Sequence, residues 1–141
     1  MTSPFRLDPR LETETILLCE TSCGLLLVNR DGRFPWVIYV PTQGDLADLV
    51  DLSDADQTAA MADVRSVSLE LRSATGCDKL NIASLGNVVR QLHIHIIARF
   101  KTDEAWPGPV WGVGEPEPLE DLPRWANDVR TALVDTGWTP L

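Results

Sequence analysis

Histidine is nearly absent from this chain, with two in 141 residues. Positive charge is scarce as well: 12 Lys and Arg stand against 21 Asp and Glu, for a formal net charge of −9. A general nucleic-acid binder needs a basic face to neutralise phosphates, so that class is set aside. A small phosphorylated ligand remains compatible, because backbone N–H donors and a few side chains can hold such a group locally. The acidic excess lies on candidate helices and near the C-terminus, where it reads as solvated surface. Cysteine is limited to Cys19, Cys23 and Cys77, and no second Cys pair or His cluster follows to complete a structural zinc site. Three buried or half-buried thiols are expected. No apolar run approaches the length of a membrane span, and the residues through Pro9 contain no apolar h-region. The expectation is a cytoplasmic, reduced protein with no membrane partner.

Internal repeats and low-complexity linkers are also missing, which predicts one domain over residues 1–141. Within it, residues 1–8 read as an N-terminal tail, 105–118 as a loop rich in Trp, Pro and Gly, and about 120–141 as a C-terminal helical segment. Ile16–Cys19 and Leu25–Asn29 are short apolar runs flanking Thr21–Gly24, the pattern of a hairpin. Asp31–Gly32 signals a turn, and Trp36–Val40 is the next strand, stopped by Pro41. Ser53 has the character of an N-cap, with Asp54 and Asp56 in the first turn. Behind it Ala60, Val64, Val67 and Leu71 recur at helical spacing, and Gly76 closes the segment. Asp45, Asp48 and Asp51 read as a solvated approach to that helix rather than a magnesium site. Lys79–Ala83 and Val88–Phe100 read as strands separated by a Gly86–Asn87 turn, and a last amphipathic helix is expected from about Leu122 to Val134. The fold class is therefore α+β: an antiparallel sheet of about five strands, with a long helix packed on one face and a C-terminal helix.

Both histidines fall in Gln91–Ile97, QLHIHII. In a strand, alternate residues share a face, so Gln91, His93 and His95 point one way and Leu92, Ile94 and Ile96 the other. The apolar face packs on the helix. The imidazole face has three possible uses. Two satisfied, partly buried histidines are the ordinary outcome for an arbitrary HxH. Metal chelation is a second use, but it wants a third ligand nearby, and none follows at close spacing. The third is nucleophilic catalysis, with one imidazole attacking phosphorus while the other binds phosphoryl oxygens or protonates the leaving group.

The run GNVVRQLHIHIIARF followed by AWPGPVW resembles the histidine triad (HIT) family, whose signature is His-φ-His-φ-His-φ-φ with φ apolar. The resemblance extends over most of the chain, through the NRD turn, FPWVIYVPTQ, the long helix and LNIASLGN. It is strongest to a bacterial branch with glutamine in place of the first triad histidine. What it implies is a HIT-like fold, a two-fold homodimer with a continuous sheet, and a nucleotide hydrolase or nucleotidyl transferase needing no cofactor and no metal. By position, His93 matches the nucleophile that becomes nucleotidylated, and His95 the histidine that contacts the phosphate or leaving group. Asn29 falls where ribose hydroxyls are bound, and Asn87 where an amide donates to the α-phosphate. Leu27 and Ile38 match the base pocket, and Trp106 lies over the neighbouring subunit's site. Three positions depart from the family pattern: Gln91 replaces a histidine, Gln43 stands near another, and Val88 replaces a serine that some members carry. Gln91 can hydrogen-bond and support the nucleotide site, but it cannot shuttle a proton.

Trp106 and Trp111 can stack on a base or staple the loop to the sheet. Arg99 shares the histidine face and reads as a solvent-exposed salt bridge rather than a phosphate ligand, and Trp125 and Trp138 read as packing. The function expected is cleavage at the α-phosphate of a nucleotide, of phosphoramidate or dinucleoside polyphosphate type, through a nucleotidyl-histidine. A non-catalytic nucleotide-binding module and a metal-binding protein using His93 and His95 are the alternatives.

Overall fold

The computed structural model describes residues 4–141. The first element was not foreseen: helix α1, Pro9–Glu14, begins where Asp8 accepts a hydrogen bond from the Arg10 amide and proline occupies the first helical position. Two strands follow, β1 (Thr15–Glu20) and β2 (Gly24–Asn29), paired as the expected antiparallel hairpin. Gly24 is required there, since a Cβ would stand 2.3 Å from the Tyr39 ring. Strand β3 (Trp36–Pro41) pairs with β2. A short 3-10 turn over Leu49–Asp51 follows, in which the Asp51 carboxylate accepts from the amides of Ala47 and Asp48 and the Asp51 amide donates to the Asp48 carbonyl, so these residues build the approach to the helix.

Helix α2, Asp54–Thr75, starts at Ser53, whose hydroxyl accepts from the Asp56 amide. It ends at Gly76 in the left-handed conformation (φ 65°), which returns its amide to the Arg72 carbonyl. Its buried stripe is Ala60, Val64, Val67 and Leu71, the residues at helical spacing. Strand β4 (Lys79–Ala83) and strand β5 (Ile94–Arg99) pair antiparallel, and β5 also pairs with β3. Helix α3, Arg124–Asp135, comes after the long loop, and a short β6 (Thr139–Pro140) adds to β1.

Among the described residues the sheet therefore has six strands in the order β4-β5-β3-β2-β1-β6, one more than expected. The extra strand is a two-residue edge containing a proline, too short to leave a periodic signal. Strand β5 begins at Ile94, six residues later than expected. The ladder sets this limit: Ile94 is the first residue opposite β3, at Tyr39, and β4 ends opposite His95. Upstream of Ile94 β4 has ended and the last two residues of β3, Val40 and Pro41, make no pair with this part of the chain, and the segment from Gly86 (φ 84°) runs as a loop.

The two faces of the sheet are covered differently. Leu18, Leu26, Val28, Val37, Tyr39, Ile94, Ile96 and Ala98 form one core with the stripe of α2 and with Ala126, Val129 and Leu133 of α3. Trp138 packs there against Tyr39, as read from the sequence. On the opposite face Leu27, Trp36, Ile38, Val40 and Ile97 meet Leu11 of α1, Phe34, Val89 and Val110 of the loop. Phe5 and Leu7 pack against this second cluster, so residues 5–7 of the segment read as a tail are docked, while residues 1–3 lie outside the described residues. None of the described helices is long and apolar enough to cross a membrane.

Candidate functional site

The second face carries the imidazoles. Strand pairing sets Ile38 opposite His95, and Trp36 opposite Ile97, so Trp36, Ile38, His95 and Ile97 share that face. His93 lies one residue before β5, yet keeps the alternation, and its ring stands 4.9 Å from that of His95 at an interplanar angle of 71°. Leu92, Ile94 and Ile96 point to the helix side as expected. Both imidazoles line a cleft of about 440 Å³, enough for a mononucleotide-sized ligand. Its walls are Leu11 and Glu14 from α1, Asn29 from β2, Trp36 and Ile38 from β3, the Leu85–Val89 turn and Trp111 of the loop. An adjoining hollow of about 420 Å³ shares Glu14, Asn29 and Trp36 and is closed by Pro116 and Pro118.

The two rings are held by different partners. His93 Nδ1 lies 2.6 Å from the Gln91 carbonyl oxygen. A carbonyl only accepts, so Nδ1 carries the proton and Nε2 keeps its lone pair. His95 Nδ1 lies 3.0 Å from Nε1 of Trp36. Burial pushes His95 down to about 4, with the neighbouring His93 adding to the effect, so His95 is neutral at physiological pH. Trp111 stands edge-on to His95 at 5.1 Å and to Trp36 at 5.8 Å. Glu14 is the one charged side chain lining the cleft, so an anion entering it must be met by neutral N–H donors. Asn29 Oδ1 accepts from the Asp31 amide at 2.8 Å, which leaves its Nδ2 for a ligand hydroxyl.

Of the residues picked from the sequence, His93, His95, Asn29, Asn87 and Ile38 come together on the cleft. Gln91, Trp106, Leu27 and Gln43 do not line it. The Gln91 side chain turns outward, accepting from the Asp8 amide at 2.8 Å and donating to the Arg6 carbonyl at 2.7 Å, and only its backbone carbonyl serves the site. The reason is that Gln91 precedes the paired part of β5, where alternation no longer fixes direction. Within its own protomer Trp106, expected over the neighbouring subunit's site, lies over Arg99, 5.8 Å from the guanidinium, and Trp111 stands by the imidazoles. Leu27 is sealed in the packing beneath the cleft. Val88 is on the rim and 79% exposed. Gln43 sits at the hairpin turn, donating to the Cys23 carbonyl at 2.8 Å.

Arg99 corrects an expectation. It is buried rather than solvent-exposed, paired through two nitrogens with Asp103 at 2.8 and 3.0 Å and donating to Asn81 Oδ1. The guanidinium holds Asp103 down to about 2, and Asp103 also accepts from the amides of Phe100, Ala105 and Trp106. This pair anchors the start of the loop that brings Trp111 to the cleft. The three cysteines are free, and burial pushes the Cys19 thiol up to about 12, which makes it unreactive. Trp36, Leu11 and Glu14 were not singled out as cleft residues, whereas Trp111 was read as a ring able to stack on a base or staple the loop. Asp8–Pro9 does signal a helix start, and Trp36 shares the parity of Ile38, so these signals were present in the sequence.

An α+β sheet with two imidazoles side by side over a nucleotide-sized cleft defines a narrow class of protein. The HIT domain model matches residues 10–102, and the chain belongs to the HIT family. A histidine triad protein from Bradyrhizobium japonicum is 39% identical, over 94% of this chain and 97% of that one, with a TM-score of 0.85. One from Marinobacter aquaeolei VT8 is 35% identical over 93% and 94%, with a TM-score of 0.83. A hypothetical histidine triad nucleotide-binding protein from Sulfolobus tokodaii shares the fold, at 16% identity over 88% and 87% and a TM-score of 0.63. No curated protein matches.

Proposed function

We propose that this protein binds a nucleotide or nucleotide conjugate in the cleft and cleaves a bond at its α-phosphorus through His93. The observation that carries the reading is the 2.6 Å contact between His93 Nδ1 and the Gln91 carbonyl, which leaves the nitrogen with a lone pair at the cleft. Membership in the HIT family supports a phosphorylated nucleotide as the ligand class, and the Sulfolobus relative is itself described as nucleotide-binding.

In the first step the His93 Nε2 lone pair attacks phosphorus and the bond to the leaving group breaks. The leaving group departs with the bonding electrons and takes a proton from solvent. Water then attacks the nucleotidyl-histidine, the P–N bond breaks toward His93, and a nucleoside monophosphate is released. His95, Asn87 and backbone N–H groups of the Leu85–Val89 turn meet the charge on the phosphoryl oxygens. Asn29 takes the ribose hydroxyls. The Gln91 side chain serves by holding residues 6–8 over the site's edge, and Trp106 by packing the loop. No cofactor is called for. In the homodimer we assign, strand β4, a sheet edge with Ile82 exposed, lies against its copy.

The test is incubation with an adenosine phosphoramidate and a dinucleoside polyphosphate, followed by intact mass and product analysis. Wild type is expected to release the monophosphate. His93→Ala is expected to lose more than about a thousandfold in rate while still binding. Tight monophosphate binding with no turnover in wild type would instead establish a binding module. Metal analysis of untagged protein addresses the third reading. Among the described residues no group of three His, Cys, Asp or Glu side chains is placed to hold an ion.

A further inference from the structure

The two imidazoles are one residue apart and chemically alike, but their surroundings differ in sign. His93 Nδ1 faces an acceptor, the Gln91 carbonyl. His95 Nδ1 faces a donor, the indole N–H of Trp36 at 3.0 Å. An indole N–H donates and has no lone pair to offer. The nitrogen it addresses must therefore be the unprotonated one. Were the proton on His95 Nδ1, two N–H groups would oppose each other in a buried contact, and both would be left unsatisfied. We propose that Trp36 is a positioning residue for this site: its indole N–H fixes His95 with the proton on Nε2, so the cleft displays an N–H donor beside the lone pair of His93.

Three further observations make the indole suited to that task. Trp36 shares the sheet face with Ile38, whose cross-strand partner is His95, so the long ring reaches the imidazole diagonally. The indole is 7% exposed and meets Trp111 edge-on at 5.8 Å, which leaves it little freedom to rotate. His95 is as deeply buried, so solvent, which both donates and accepts, does not compete for its Nδ1. A water in place of the indole would satisfy either tautomer. Trp36 satisfies one.

The consequence for catalysis rests on the α-phosphate reading above; the tautomer assignment does not. A phosphoryl oxygen is an acceptor, and the cleft has no lysine or arginine on its walls to receive it. A preset N–H at His95 Nε2 supplies a donor without any proton having to move when ligand arrives. It also separates the roles of the two rings, with the lone pair on one and the donor on the other.

Only two histidines exist in the chain, so four imidazole nitrogens make up the whole NMR signal, and His93→Ala assigns them. In unliganded wild type, long-range ¹H–¹⁵N spectra at neutral pH are expected to show His95 with an unprotonated Nδ1 and a protonated Nε2. His93 is expected to show the reverse. In Trp36→Phe the His95 Nδ1 resonance should move toward that of an unbonded nitrogen, and kcat should fall about tenfold with KM nearly unchanged. A proton on His95 Nδ1 in wild type overturns the proposal, even if Trp36→Phe does not fold. So does a Trp36→Phe protein in which neither the Nδ1 resonance nor kcat changes. If no nucleotide is turned over at all, the α-phosphate reading fails, and the wild-type spectrum still decides the tautomer.

Discussion

One sheet has two unlike faces. Under α2 and α3, Leu18, Leu26, Val37 and Ile96 are fully covered, and at the edge of that core Asp63 accepts from both Tyr39 and Thr21 at 2.6 Å. The opposite face has an equally apolar centre in Leu27, Ile38 and Ile97, but its cover is the short α1 and an irregular loop. Regular helices present a continuous stripe that fills the pleats. Short and irregular segments touch at points, here Leu11, Val110 and Trp111, and leave a cleft between them. The same strands thus build a closed core on one side and a site on the other. The difference lies in the cover.

Leu71→Ala attacks the closed face and should have the largest effect on stability. Leu71 has no exposed surface and packs within the helix core, so its truncation is expected to cost about 2–5 kcal/mol in denaturant unfolding. Nucleotide affinity should remain within about twofold, since the damage is on the far side of the sheet. A large loss of affinity at unchanged folding would show that the two faces are coupled.

The open face has its own signature in pH. His95 titrates at about 4 when folded, against an ordinary value of 6.5. Between those values the unfolded chain binds a proton that the folded chain refuses. Stability is therefore intact above about 6.5 and declines as pH drops toward 4, by up to about 3 kcal/mol. His95→Gln should flatten that slope in urea titrations across the range. An equal slope in variant and wild type would move the origin of the acid sensitivity elsewhere.

The smallest effect is expected at the edge of the cleft. Gln91→Ala removes two hydrogen bonds to the backbone of Arg6 and Asp8 and should cost about 1 kcal/mol, with faster hydrogen exchange confined to residues 5–8. Turnover should hardly change, because the carbonyl that orients His93 survives the substitution. A large loss of kcat would restore the side chain to a part in the chemistry.

The two faces were not equally legible. Helical spacing in α2, its serine cap and closing glycine, and the strands Lys79–Ala83 and Trp36–Pro41 all follow from local patterns and were found with small errors at the ends. The alternation in QLHIHII was read rightly for Leu92 through Ile96. It failed at Gln91, because alternation holds only while neighbouring strands keep the backbone extended, and pairing starts at Ile94. Arg99 was misjudged for a related reason. Its partner Asp103 lies beyond the strand end, in a turn whose amides that carboxylate collects. In the Trp- and Pro-rich loop, composition indicated aromatic contact but not which ring would reach the imidazoles.

By itself the sequence determined the α+β class and the placing of two imidazoles on one side of a strand, since these rest on periodicities of two and 3.6 residues that neighbouring side chains carry, and its motif run carried the resemblance to the family. The tertiary structure decided what each imidazole faces. The carbonyl at His93 and the indole at His95 are brought there by a strand end and a cross-strand diagonal, and relations of that kind leave no mark on local spacing.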